Sequence, residues 1–254
     1  WEIGKNHRPE VGLLADPKAG LADLIEAVGG LLGADERAAA AERRDTIAER
    51  HRAQRRAAEA SARKVWDARP IAVPRLMVEL RDALPPGAIV CEEAITSSGA
   101  LHRYLDFTEP GSIFGMRGGG LGPGLPSAIG VQLARPDRPV VAVLGDGAAM
   151  YTIQGLWTAA HYRLPVRFVV CANRSYRVLK LNMMRYVGPE GRPMPATDFD
   201  DPPIDFAGLA RSLGLAAERV EEPDQLGPAL ARTFNQPGPA LLEVVIDKAI
   251  RRAP

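Results

Sequence analysis

Val140 to Tyr176 reads VVAVLGDGAAMYTIQGLWTAAHYRLPVRFVVCANRSY. Pro139 to Leu144 is a short valine-rich run closed by Gly145-Asp146-Gly147, the pattern of a strand buried on both faces of a parallel sheet. From Met150 to Tyr162 the apolar residues Ile153, Leu156, Trp157 and Ala160 recur at helical spacing, which predicts a helix with one buried stripe. Pro165 ends the connection, and Val166 to Cys171 is a second buried strand leading to Asn173. In a right-handed βαβ unit both strands end on the same edge, so Asp146 and Asn173 are expected to converge there.

Glycines on either side of Asp146 let backbone approach a ligand and leave N–H groups at the start of a helix, where phosphate binds well. A carboxylate, an amide oxygen and a backbone carbonyl, completed by waters and diphosphate oxygens, make the hard oxygen shell that Mg²⁺ prefers. The plainer alternative makes Asp146 a turn or helix-capping residue and Asn173 an ordinary loop asparagine. The spacing favours the former, because GDG followed by a strand ending in asparagine resembles the diphosphate motif of thiamine diphosphate enzymes. That resemblance implies Mg²⁺ held by Asp146, the Asn173 side chain and the Ser175 backbone carbonyl. It also implies a cofactor lying against Gly145, Gly147, Ala148, Ala149 and Tyr176. The family usually carries two adjacent asparagines, and here the first is Ala172.

The chain has 254 residues and a net charge of +1, enough length for a large core and no excess of basic charge for a nucleic-acid partner. Cys91 and Cys171 both lie in apolar runs and are expected as buried, reduced thiols, which points to an intracellular, cytoplasmic protein. No apolar run approaches membrane-spanning length, and no signal-peptide pattern is visible. The chain opens on Trp1, which does not resemble the beginning of a protein. Val11 to Leu14 is a short strand candidate, and Asp16-Pro17 opens a helix with Leu21, Leu24, Ile25 and Val28 on its apolar face. A similar strand and helix end the central domain in decarboxylases and acetolactate synthases of this family. Residues 1–32 are therefore expected to be a remnant of that domain in a longer protein. Residues 33–70, rich in alanine, arginine and glutamate, are expected to form a solvated helical linker, and residues 71–254 the cofactor-binding domain.

In that last part, helix Val73 to Leu84 leads to strand Ala88 to Cys91 and then to Glu92-Glu93-Ala94-Ile95-Thr96-Ser97-Ser98. The Ser/Thr cluster reads as a helix cap. The resemblance adds a contact from the Thr96 hydroxyl to the diphosphate and aligns Ile95 with a hydroxyl residue of benzoylformate decarboxylase. Strand Ser112 to Met116 precedes Arg117-Gly118-Gly119-Gly120-Leu121-Gly122-Pro123-Gly124, whose glycines imply unusual φ values or backbone packed against something bulky. By itself Leu121 reads as one more core leucine. The resemblance makes it the wedge between the two cofactor rings and makes the Gly119 carbonyl the acceptor for the 4′-amino group. The same loop also carries a poor copy of a dinucleotide fingerprint, Gly122-x-Gly124-x-x-Ser127 with Asp146 beyond it, spoiled by Pro123 and Ser127.

Arg177 to Tyr186 reads as a helix and Val187 to Pro203 as a long Gly/Pro-rich loop. In related decarboxylases the start of that helix lines the substrate pocket, which places Val178, Leu179 and Asn182 there. Strands Ala216 to Val220 and Ala240 to Ile246, with helix Asp224 to Phe234 between them, complete the pattern. It predicts an α/β fold, a parallel sheet of about six strands with helices on both faces and a ligand at the strand carboxyl ends. The resemblance implies a thiamine diphosphate- and Mg²⁺-dependent decarboxylase or carboligase for a 2-keto acid, nearest benzoylformate decarboxylase or acetolactate synthase. It further implies a homodimer or homotetramer in which a separate pyrimidine-binding domain supplies the activating glutamate, so that this chain alone is inert. A non-catalytic cofactor-binding module and an NAD-binding dehydrogenase domain are the alternatives.

Overall fold

A computed structural model describes residues 2–188, 194 and 196–249. The chain divides into two units at Gln54 and Arg55. In the first, helix α1 (Pro17–Leu31) begins as expected, with the Asp16 carboxylate accepting a hydrogen bond from the Ala19 N–H at 3.0 Å and Pro17 in the first helical turn. The expected strand at Val11 to Leu14 is absent. Among the described residues this unit contains no other strand, so the extended segment has no ladder to join. Helix α2 (Ala34–Arg63) runs across the division.

The C-terminal end of α2, from Arg55 on, belongs with the sheet-containing unit. Ala58 and Ala62 are buried there, the Tyr104 hydroxyl donates to the Ala58 carbonyl at 3.1 Å, and Glu59 pairs with Arg81 at 2.8 Å. Small side chains let this helix pack closely without the large apolar residues that a coiled-coil seam would need.

The elements that follow are α3 (Val73–Ala83), β1 (Ile89–Glu93), α4 (Ser98–Tyr104), β2 (Ile113–Gly115), α5 (Gly124–Ala134) and β3 (Val140–Gly145). Next come α6 (Asp146–Ala149), α7 (Gly155–His161), β4 (Arg167–Ala172), α8 (Arg177–Val187), α9 (Phe206–Ser212), β5 (Ala216–Val220), α10 (Leu226–Phe234) and β6 (Ala240–Val245). All six strands pair in parallel in the order β2-β1-β3-β4-β6-β5. This is the α/β sheet expected from the alternation of apolar runs and helices. Val90, Val141, Val143, Val169 and Leu242 face one core with α3 and α10, while Ile89, Ala142, Phe168 and Val170 face the other with α5, α7 and α9. Helices therefore cover both faces, as parallel sheets require.

Of the helix expected from Met150 to Tyr162 only α7 forms; residues 150–154 are turns and bends that link it to α6, which ends at Ala149. Gly155 opens α7 where an added Cβ would stand 2.7 Å from the Leu125 side chain, so the helix lies close against α5. Leu156 and Ala159 are buried, but Trp157, expected in the buried stripe, is 55% exposed and stacks on His161 at 4.8 Å. Of the expected loop Val187 to Pro203, residues 189–193 and 195 lie outside the described residues. Among the described residues no helix is long and apolar enough to cross a membrane.

Candidate cofactor site at the carboxyl edge of the sheet

Strand order fixes where to look. From β1 the chain moves outward to β2 and then back across to β3, so the direction of winding reverses between β1 and β3. The helices on either side of such a reversal diverge and leave a crevice outside the strand carboxyl ends. The residues that follow β1, β3 and β4 are Ala94 to Ser97, Asp146 and Asn173.

Asp146 joins two of these ends. It is 2% exposed; its Oδ1 accepts from the Gly147 N–H at 2.8 Å and its Oδ2 from the Arg174 N–H at 2.5 Å, across to the end of β4. Burial pushes its carboxyl up to about 6, although the backbone N–H groups of Arg174, Gly147 and Asn173 pull it down. No ion pair to Asp146 is present among the described residues, so amide dipoles alone offset the buried charge. Such a carboxylate is suited to a cation.

Asn173 and Ser175 are also buried. The Asn173 Oδ1 accepts from the Ser175 N–H at 2.9 Å, and the Ser175 carbonyl accepts from the Arg177 N–H at 2.7 Å. Each oxygen retains a second lone pair. The set brought together is one carboxylate, one amide oxygen and one backbone carbonyl, all hard oxygen donors. Among the described residues no group of three or more His, Cys, Asp or Glu side chains could hold a metal. A cation here would therefore draw its remaining ligands from water and phosphate, which is how Mg²⁺ is usually held. On that chemistry the residues fit Mg²⁺.

The space in front of Gly147 is taken by protein. A Cβ there would meet the Tyr176 ring at 2.7 Å, and that ring packs on Phe199 with centroids 5.0 Å apart. Ala148 and Ala149 are buried beside it. Gly145 lies against the backbone carbonyls of Glu93 and Ala94. Thr96 follows in a single 3-10 turn, Ile95–Ser97, which packs against β3 and α8. Ile95 enters that turn at φ +48, a left-handed conformation that a β-branched residue rarely adopts. In α8, Val178 is half-buried while Leu179 and Asn182 are exposed.

Gly118, Gly119 and Gly122 have φ of +75, +73 and +99, so the loop's glycine content answers a backbone need. Leu121 is 42% exposed and is no ordinary core leucine. From sequence Glu93 falls beyond the strand that ends at Cys91, whereas in the structure it is the last residue of β1. It is 1% exposed, and its Oε1 and Oε2 accept from the N–H groups of Gly122 at 2.6 Å and Gly124 at 2.7 Å. One signal was present: Glu93 alternates in phase with Ile89 and Cys91, so a charged residue stands where the pleat dictates an apolar one. This geometry also weakens the dinucleotide reading, because the two amides that would receive a pyrophosphate are already occupied by Glu93.

Fold and edge together define a doubly wound α/β domain with a buried cluster of oxygen atoms at its switch point. Residues 94–244 match the family described as thiamine pyrophosphate enzyme, C-terminal TPP binding domain, and the chain belongs to that family. It is 37% identical over 172 residues to the benzoylformate decarboxylase of Pseudomonas aeruginosa, covering 67% of this chain and 32% of that protein. It is 31% identical over 179 residues to the acetolactate synthase isozyme 2 large subunit of Escherichia coli, covering 70% of this chain and 32% of that one. Among solved structures, the thiamine diphosphate-dependent 4-hydroxybenzoylformate decarboxylase of Rhodococcus jostii superposes with a TM-score of 0.66 at 32% identity, covering 71% of this chain and 33% of its own. The aligned part of this chain thus spans about a third of these proteins.

Proposed function

We propose that the chain is the diphosphate-binding part of a thiamine diphosphate- and Mg²⁺-dependent enzyme acting on 2-keto acids, similar to benzoylformate decarboxylase. An acetolactate synthase-like carboligase is the other outcome of the same chemistry. The observation that carries this reading is Asp146, a buried carboxylate tying the ends of β3 and β4 together at the switch point with only amide donors around it. When bound, the cofactor supplies a nucleophilic carbon for the keto group and a sink for the electron pair left behind by CO₂.

The residues of this chain have narrower tasks. Asp146, Asn173 Oδ1 and the Ser175 carbonyl hold Mg²⁺, which neutralises the diphosphate beside Asp146. The Thr96 hydroxyl and the amides at the start of α6 receive diphosphate oxygens, beside Gly145, Gly147 and Tyr176. The Gly119 carbonyl would accept a hydrogen bond from the 4′-amino group, and Leu121, 42% exposed in its loop, would separate the two rings. Val178, Leu179 and Asn182 border the keto acid. The glutamate that activates the pyrimidine comes, in this reading, from a pyrimidine-binding domain within a homodimer or homotetramer.

Calorimetry tests the metal shell. The protein should bind thiamine diphosphate only with Mg²⁺, and Asp146→Ala and Asn173→Ala should each abolish measurable binding. Unchanged affinity in either variant removes that residue from the shell, and preferential binding of NAD(H) would sink the whole reading.

A further inference from the structure

Glu93 does something the metal shell does not account for. It closes β1 on the face that packs against α5, and α5 begins at Gly124 with Pro123 before it. A helix start leaves backbone N–H groups without partners, and Pro123 has none to offer. The Glu93 carboxylate reaches across from the neighbouring strand and straddles the proline, one oxygen on the Gly122 N–H and the other on the Gly124 N–H. An added Cβ on Gly124 would stand 2.6 Å from the Glu93 Cβ, so this contact requires glycine. Gly122 is held through its carbonyl too, because the Thr152 hydroxyl donates to that oxygen at 2.7 Å. Thr152 sits in the turn between α6 and α7, just beyond β3. Gly122, the neighbour of Leu121, is thereby tied through its N–H and its carbonyl to both sides of the switch point. Leu121 itself, a large apolar side chain, stays 42% exposed. A loop free to move would be expected to fold this leucine away from water.

We propose that Glu93 is a positioning residue: its carboxylate fixes the loop from Gly118 to Gly122 so that the Leu121 side chain and the Gly119 carbonyl are presented in the edge crevice to the rings of the cofactor. The proposal rests on the reading of Leu121 and Gly119 given above. Glu93 touches neither cofactor nor substrate and acts through the loop. Glutamine at this position keeps the shape but turns an NH₂ group toward one of two N–H donors, so one loop amide loses its acceptor. Aspartate keeps both acceptors but withdraws them by one methylene. Thr152→Val loosens the same residue, Gly122, at its carbonyl and leaves Glu93 satisfied, which provides a second route should Glu93→Gln fold poorly.

Two measurements on the protein separate positioning from mere stability. The first is amide hydrogen exchange without ligand. Glu93→Gln should speed exchange at Gly122 and Gly124 at least about tenfold while the amides of β3 and β4 keep their protection. The second compares thiamine diphosphate with inorganic pyrophosphate, each with Mg²⁺. Affinity for thiamine diphosphate should fall about tenfold in Glu93→Gln and less in Thr152→Val, while affinity for pyrophosphate stays within about twofold, because only the ring-bearing ligand uses the loop. Glu93→Asp should recover part of the loss. Equal weakening of both ligands, or unchanged exchange at the two glycine amides, overturns the proposal. Failure of the native protein to bind thiamine diphosphate overturns the functional reading and the ring-positioning role with it. Native binding combined with an indifferent Glu93→Gln overturns this proposal alone.

Discussion

Midway along β3 and β4, Val141, Val143, Val169 and Val170 are wholly buried, and each strand is paired on both sides. Just beyond the ends of those same strands, Asp146 and Asn173 are buried nearly as deeply, yet they are polar. In the first region burial stabilises the fold through apolar area removed from water. In the second it opposes the fold, because a carboxylate is desolvated with only amides to compensate it, and Ile95 and Arg174 are held at φ of +48 and +54. The sheet interior is thus spent on stability, whereas its carboxyl edge keeps groups that cost stability and that a ligand would compensate.

The sharpest way to break this contrast is to damage the interior. Phe168→Ala removes one of the largest fully buried side chains and should cost about 3–5 kcal/mol in denaturant unfolding. The molecules that remain folded should bind thiamine diphosphate as before, and a matching loss of affinity per folded molecule would show that interior and edge are not separable.

Next in size is the effect of pH through Asp146. An ordinary aspartate titrates at 3.8, and burial holds this one at about 6, so between those values the folded chain binds more protons than the unfolded one. The associated stability is fully present below about pH 4 and is lost as pH rises through about 6, by no more than roughly 3 kcal/mol. Unfolding free energies from pH 4 to 7 should therefore fall more steeply in the native protein than in Asp146→Asn. Parallel curves for the two proteins would show that the edge does not carry this cost.

A smaller gain is expected from Arg174→Gly, because glycine occupies a left-handed φ without the Cβ clash. Stability should rise by about 0.5–1 kcal/mol, the backbone N–H to Asp146 being kept. A loss would mean that the Arg174 side chain contributes more to packing than its backbone loses in strain.

Smallest for stability is Leu121→Ala, within about 0.5 kcal/mol because the side chain is already half in water. In the full-length protein, however, turnover should fall more than cofactor affinity, since the lost contact positions reacting atoms. Full turnover in that variant would remove Leu121 from the wedge role.

The sequence shows β3 and β4 most clearly because each is a short apolar run stopped by a glycine or an asparagine, whereas β5 carries Glu218 and Arg219 within it and is marked chiefly by its place between two helices. Asp146 and Asn173 were legible for the same reason, as polar residues at the ends of such runs. What escaped depends on partners distant in the chain. Glu93 meets Gly122 and Gly124 across a whole connection, so its role is invisible until β1 and α5 are placed. Helical spacing from Met150 onward was real, but spacing does not show that α6 ends at Ala149 and that Gly155 restarts the helix against α5. The segment Arg55 to Arg63 looked solvated because it lacks large apolar residues, whereas Ala58 and Ala62 pack by being small.

Strand order also has a consequence for synthesis. β6 lies between β4 and β5, pairing Arg167 with Ala240 on one side and Ala216 with Ala240 on the other. Among the described residues it is the last strand in sequence, so it leaves a ribosome after the other strands of this sheet. Glu93, Asp146, Asn173 and Ser175 all lie on or just beyond β1, β3 and β4, which emerge earlier and are contiguous in the sheet. Domains form N-terminal first during translation. The nascent chain therefore exposes every oxygen assigned to the cation while one side of β4 is still unpaired, and the final strand must insert beside a site that has already been delivered.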